Sequence, residues 1–159
     1  IGACYFDRLT GEVGEKFQVN IDSEDSVKEG FFIEPSSVKF WFDQKHRTWL
    51  NPPLVTLKDG LEQYRQFSKK ADCVWSHATF DFSMLLQTCF KLGIKPVNRY
   101  TTTRDIRTLV DLAHLQKEDD AYPEDAHDAL ADCIRQVGYC SKAFNILKPM
   151  TGGERWNKG

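Results

Sequence analysis

The feature that most limits what this chain can fold into is an amphipathic run near its end. Leu130, Cys133, Val137, Cys140, Phe144 and Leu147 recur at helical spacing. Just upstream, Asp120, Tyr122, Pro123 and Asp125 read as a loop with a candidate N-cap. This places His127 at or just before the helix start and Asp132 about one turn inside it. On a continuous helix, side chains five residues apart point about 140° apart. His127 and Asp132 therefore converge only if His127 belongs to the incoming loop. A loop histidine facing a helix carboxylate, with metal between them and a substrate, is a hydrolytic arrangement. The plain alternative is that both residues merely serve the helix, as cap and exposed face.

A second stretch, Cys73 to Leu92, reads as a short apolar strand, a polar turn of small residues, and a helix. The helix carries Leu85, Leu86, Cys89 and Leu92 and stops at Gly93. Asp81 falls where the strand gives way to the helix. In open α/β sheets that is where ligands bind.

Together the two stretches resemble the DEDDh-type 3′→5′ exonucleases, the proofreading and RNase T-like group. Phe80-Asp81 followed by Met84-Leu85-Leu86 is similar to their middle motif, and His127-Asp128-Ala129-Leu130-Ala131-Asp132 to their last. Arg104-Asp105-Ile106-Arg107-Thr108-Leu109 resembles a segment found between the two. The likeness is strongest to the branch that includes phage exonuclease A and extends over roughly residues 1–147. It implies a ribonuclease H-like α/β fold, a mixed sheet flanked by helices. It also implies Asp81 and Asp132 as catalytic metal ligands, His127 as general base, and Phe80 and His77 as substrate contacts. The implied cofactor is Mg²⁺ or Mn²⁺ in a two-metal site. The implied substrate is a single-stranded DNA or RNA end, with DNA favoured, and the product a nucleoside monophosphate.

Two departures stand out. The family's first motif, Asp-x-Glu on a central opening strand, is absent ahead of Ile1-Gly2-Ala3-Cys4-Tyr5-Phe6. The sequence is therefore expected to be amino-terminally incomplete, lacking a strand of about 5–6 residues. In addition, Ser76-His77 stands where relatives often carry His-Asn or Gly-Asn.

The chemistry can be argued from the residues alone. A phosphodiester is polyanionic, so the attacking water needs activation and the leaving oxyanion needs neutralising. Two divalent ions about 3.5–4 Å apart do both. Mg²⁺ takes oxygen ligands and keeps several waters, so a few carboxylates suffice. A neutral histidine can take the proton of the attacking water.

Length and composition bound the remaining options. The 159 residues fit one domain, read as residues 1–148, followed by an aperiodic tail at 149–159. With 41% hydrophobic and 13% aromatic residues the chain is globular, and no apolar run approaches a membrane span. Five cysteines without a Cys-x-x-Cys pair argue against zinc and for a reducing, cytoplasmic setting. Cys4, Cys73, Cys89 and Cys133 are expected as buried thiols. The net charge of −2 is not the basic footprint of a duplex-coating protein. A site that holds cations with carboxylates is acidic by construction.

Elsewhere, Ile1–Phe6 and Glu15–Ile21 read as strands joined by a turn at Asp7, with Phe17, Val19 and Ile21 alternating against polar neighbours. Residues 22–34 read as an acidic surface loop. A short helix from Pro35 carries Phe40-Trp41-Phe42, flanked by Lys39, Lys45, His46 and Arg47. Such interleaving suits single-stranded nucleic acid, but core packing of the aromatics is the favoured expectation. Thr56 to Asp59 forms a capping box opening a scaffold helix to about Lys70. Tyr100–Ile106 reads as a strand, with Asp105 in a structural role, and Arg107–Leu115 as a short helix. The resulting reading is a metal-dependent 3′→5′ exonuclease. The alternatives are an exoribonuclease of the same fold, an inactive nucleic-acid-binding module, and a plain α/β protein. No membrane partner is expected, and a second copy of the chain is a candidate partner.

Overall fold

The structure, a computed structural model, describes residues 1–43, 51–96, 98, 100–115 and 128–148. Strand β1 (Gly2–Phe6) pairs antiparallel with β2 (Val13–Gln18). The turn between them is held by Asp7, whose Oδ1 accepts from Leu9 N and Thr10 N, both at 2.8 Å. A two-residue strand β3 (Asn20–Ile21) pairs parallel with β4 (Leu54–Val55). Between them lie helices α1 (Ser23–Lys28) and α2 (Pro35–Phe42). Helix α3 (Leu57–Phe67) follows β4. Strand β5 (Val74–Ser76) leads through a π-helical turn, Ala78–Phe82, into α4 (Ser83–Lys91). Strand β6 (Thr103–Asp105), helix α5 (Ile106–Leu112) and helix α6 (Ala129–Leu147) complete the order, with β6 parallel to β5.

The β1–β2 hairpin separates two helical layers, as strand alternation requires. Tyr5 and Phe17 face α3: their rings lie 4.9 and 5.2 Å from that of Phe67, and the Tyr5 hydroxyl donates to the Phe67 carbonyl at 2.6 Å. Gly2 and Phe6 face α6. The Cys133 thiol donates to the Gly2 carbonyl at 3.2 Å, and Phe6 packs on a core of Leu109, Ala113, Cys140, Ala143 and Phe144. Trp75 of β5 meets Phe144 edge to face at 5.1 Å, an arrangement the ring quadrupoles favour. The run Val137, Cys140, Phe144 is thus the buried face of α6.

Local signals explain most boundaries. Thr56 Oγ1 accepts from Asp59 N, the N-cap half of the expected capping box, and donates to Asp59 Oδ2. Gly93, at φ +67°, ends α4 in a conformation that costs glycine nothing. Several expectations need correction. Residues 22–34 are not all loop: Asp22 caps α1, its side chain accepting from Glu24 N, because an Asx cap outweighs the weak helix propensity around it. The expected strand Glu15–Ile21 is split at Val19, so that Ile21 pairs with Val55 rather than extending the hairpin. The expected strand Tyr100–Ile106 shortens to three residues once Asp105 starts a helix.

The aromatic run on α2 does not join the core: no residue of α2 is buried, and Phe42 is 68% exposed. Of the cysteines, Cys89 and Cys140 are buried, whereas Cys4, Cys73 and Cys133 are only partly so; all five are free thiols. The expected loop through Asp120, Tyr122, Pro123 and Asp125 and the tail at 149–159 lie outside the described residues, as do Lys45, His46 and Arg47. No described helix is long and apolar enough to cross a membrane.

Gly2 tests the packing. A Cβ there would sit 2.4 Å from the Ala129 carbonyl carbon and 2.6 Å from Leu130 N, both backbone atoms. Gly2→Ala should therefore destabilise the fold by about 1–3 kcal/mol, the usual scale of overpacking, read from urea unfolding. An unchanged midpoint and slope would show that α6 approaches β1 less closely.

Candidate functional site

The site begins at the paired ends of β5 and β6, where Ser76 stands opposite Asp105 in parallel register. The chain leaves β5 through His77 and tightens into the π-helical turn. Phe80 N and Asp81 N both donate to the His77 carbonyl, at 2.8 and 2.9 Å. The two leading N–H groups are taken by carboxylates. His77 N donates to Asp81 Oδ2 at 3.0 Å, and Ala78 N donates to Asp105 Oδ2 at 2.9 Å. The turn thus holds Asp81 from below, while Phe80 and Met84 stand outward, 58% and 55% exposed.

The second wall is the start of α6. Asp128 is its N-cap, Oδ1 accepting from Leu130 N at 3.1 Å and Ala131 N at 3.0 Å. Asp128 Oδ2 accepts from Gln18 Nε2 at 2.9 Å, which ties the helix end to the close of β2. Asp132 follows one turn in, its N–H donating to the Asp128 carbonyl. Its Oδ1 forms an ion pair with Arg135, the two side chains being 35% and 30% exposed. At that exposure the pair adds little stability.

Asp81 and Asp132 both lie near enough to Cys133 to act on its thiol electrostatically. Its thiol is pushed up to about 12, first by burial and then by the nearby Cys4, Asp81 and Asp132. Two carboxylates from different elements thus act on one partly buried sulfur, and the thiol stays protonated at neutral pH. Asp105 behaves oppositely. Burial alone would raise it, but the N–H donors of Thr108 and Ala78 outweigh that and hold it below its ordinary value. A depressed carboxylate contributes stability at neutral pH that is lost as the pH falls through its folded-state titration.

Of the residues expected from sequence, Phe80, His77 and Asp81 share one turn and Asp132 stands in the first turn of α6. His127 lies outside the described residues. The N-cap is Asp128, downstream of the residues expected to hold it, so the helix start does not require His127 as a cap. Sequence reasoning overlooked Asp128, although an aspartate directly ahead of an apolar periodic run is the ordinary N-cap signal. It also missed the bond from Asp105 to Ala78, for which no local signal exists across 27 residues. Among the described residues no group of three or more His, Cys, Asp or Glu could hold a metal. Asp81 and Asp132 supply oxygen donors alone, a chemistry suited to a hard cation rather than zinc.

The fold and site define an α/β protein with two acidic side chains, one on the turn after a strand and one in the first turn of a helix. The model of the 3′-5′ exoribonuclease Rv2179c-like domain matches residues 1–144, and the chain belongs to that family. It is by that membership a 3′-5′ exonuclease. No curated protein and no solved structure matches it.

The cap gives a direct test. Asp128→Ala should cost about 0.5–2 kcal/mol, as loss of an N-cap does, measured by urea unfolding. A loss below that range would show that another group satisfies the first turn of α6.

Proposed function

We propose that the protein is a metal-dependent exoribonuclease that removes nucleotides one at a time from the 3′ end of single-stranded RNA. The family description favours RNA over the DNA expected from the sequence. The observation that carries the reading is the family match over residues 1–144, with Asp81 on the turn after β5 and Asp132 in the first turn of α6 as its acidic side chains. The finer reading of the fold is a ribonuclease H-like sheet of the DEDDh type. The described strands form three separate two-stranded sheets, one antiparallel and two parallel, so its support is the parallel β5–β6 pair, the helices on both faces of the hairpin and a carboxylate on the turn after β5.

The chemistry is hydrolysis of the terminal phosphodiester. Water adds to phosphorus, the 3′ oxygen of the penultimate nucleotide leaves with a proton, and a nucleoside monophosphate is released. Asp81 and Asp132 would hold Mg²⁺ or Mn²⁺, which supplies charge to the phosphate and lowers the pKa of bound water. Asp81 is suited to this role because its Oδ1 takes no hydrogen bond among the described residues. His127, one residue before the cap of α6, is the proposed proton acceptor for the attacking water. Phe80, exposed on the turn, offers an aromatic face on which a terminal base stacks, with Met84 as an apolar neighbour. His77 is proposed to line the same end through its side chain, its N–H being held by Asp81.

A 5′-labelled single-stranded RNA should be shortened stepwise from its 3′ end in Mg²⁺ or Mn²⁺, and faster than the DNA of the same sequence. His127→Ala should lower kcat by about 10²–10⁴-fold with Mn²⁺ affinity by calorimetry unchanged. Asp132→Asn should lose affinity and rate together. An Asp132→Asn protein that binds Mn²⁺ and cleaves like the parent would end this assignment.

A further inference from the structure

Asp105 lies outside the residues that face the site, yet it ties two parts of the surrounding structure together. It ends β6 opposite Ser76, the last residue of β5. Its Oδ1 accepts from Thr108 N at 2.8 Å and from Thr108 Oγ1 at 3.1 Å, which starts α5. Its Oδ2 accepts from Ala78 N at 2.9 Å, across 27 residues of sequence. One carboxylate therefore fixes two chain reversals to each other. One of them is the turn that carries Asp81.

The division of donors within that turn gives this bond its meaning. His77 N and Ala78 N are successive donors, the first bonded to Asp81 Oδ2 and the second to Asp105 Oδ2. A carboxylate at the start of a helical turn gathers whatever leading N–H groups are open to it. With Ala78 N released, Asp81 is the adjacent acceptor and can take both. Its carboxylate would then be drawn onto its own backbone and away from Asp132. By occupying Ala78 N, Asp105 leaves Asp81 held through one oxygen, Oδ2, by His77 N alone.

We propose that Asp105 is a positioning residue of the nuclease site, holding the His77–Phe82 turn so that Asp81 stays directed toward Asp132. The proposal rests on the exonuclease reading of that site. It differs from a purely architectural role in its consequence: loss of one of the two oxygen acceptors disturbs the reaction without removing the helix cap.

Asp105→Asn makes that separation. An amide has a single acceptor oxygen. Two donors of Thr108 meet Oδ1 and one donor of Ala78 meets Oδ2, so the amide oxygen turns to Thr108 and its NH₂ confronts Ala78 N–H. Asparagine remains a good N-cap, so α5 is kept. Thr108→Val is the counterpart: it removes the hydroxyl bond to Asp105 and leaves the Ala78 bond in place.

Both variants are compared with the parent by melting temperature, by kcat and KM on 3′-ended single-stranded RNA, and by amide hydrogen exchange at residues 77–81. Asp105→Asn should lower kcat roughly 10–100-fold, the scale of a small misplacement of a reacting group. KM should change less than kcat, exchange at Ala78 should accelerate, and the melting temperature should change little. Thr108→Val should leave kcat and the exchange at Ala78 at parent values. The proposal is overturned if Asp105→Asn leaves Ala78 exchange and kcat unchanged, or if kcat follows melting temperature equally in both variants. A parent protein inert toward RNA would refute the nuclease reading alone. Exchange at Ala78 would still decide whether Asp105 holds the turn.

Discussion

At Gly2 the backbone of β1 passes so close to the first turn of α6 that a methyl group would sit 2.4 Å from the Ala129 carbonyl carbon. That approach sets the depth of α6 against the hairpin. The Cys133 thiol closes the same contact by donating to the Gly2 carbonyl. Further along the helix, Phe144 engages Trp75, so the helix that lies on β1 also grips β5. Because close-packed interiors transmit displacement, the position of Asp132 relative to Asp81 is fixed by packing that touches neither carboxylate.

The two walls of the site are stabilised by different means. Asp132 rides on a nineteen-residue helix with a buried face and a side-chain cap, so its placement is that of a rigid element. Asp81 rides on a π-helical turn of five residues with no buried residue of its own. That turn depends on hydrogen bonds from its leading N–H groups to two carboxylates, one of them distant in sequence. Functional carboxylates are commonly built this way, with a flexible turn supported from behind by a rigid partner. The ion pair between Asp132 and Arg135 is compatible with this division. At its exposure it costs little to exchange for another cationic partner.

Elements with strong periodicity or a local cap were legible in the sequence. The α6 face, the capping box at Thr56, the turn at Asp7 and the stop at Gly93 all follow from spacing or from one residue's backbone preference. The motif carrying Asp81 was placed correctly at a strand end because an apolar run followed by small polar residues has few other solutions. What escaped was decided by tertiary structure. Ile21 leaves the hairpin to pair with Val55, and Phe42 stays exposed although aromatic stripes usually bury. Nothing within a few residues of either encodes those outcomes. The contact between Asp105 and Ala78 is of the same kind, visible only once β5 and β6 lie side by side. The choice between RNA and DNA was not legible in residue pattern, since it depends on how a pocket meets the 2′-hydroxyl.

The central claim is that Asp81 and Asp132, delivered by separate elements, form a single reactive centre. A double-mutant cycle tests it most directly, with kcat/KM for single-stranded RNA measured for Asp81→Asn, Asp132→Asn and the double variant. Groups that act as one unit give strongly non-additive losses. The double variant is therefore predicted to be about as impaired as the worse single variant. Losses that multiply independently would contradict a shared centre and leave the two carboxylates as separate features of the surface.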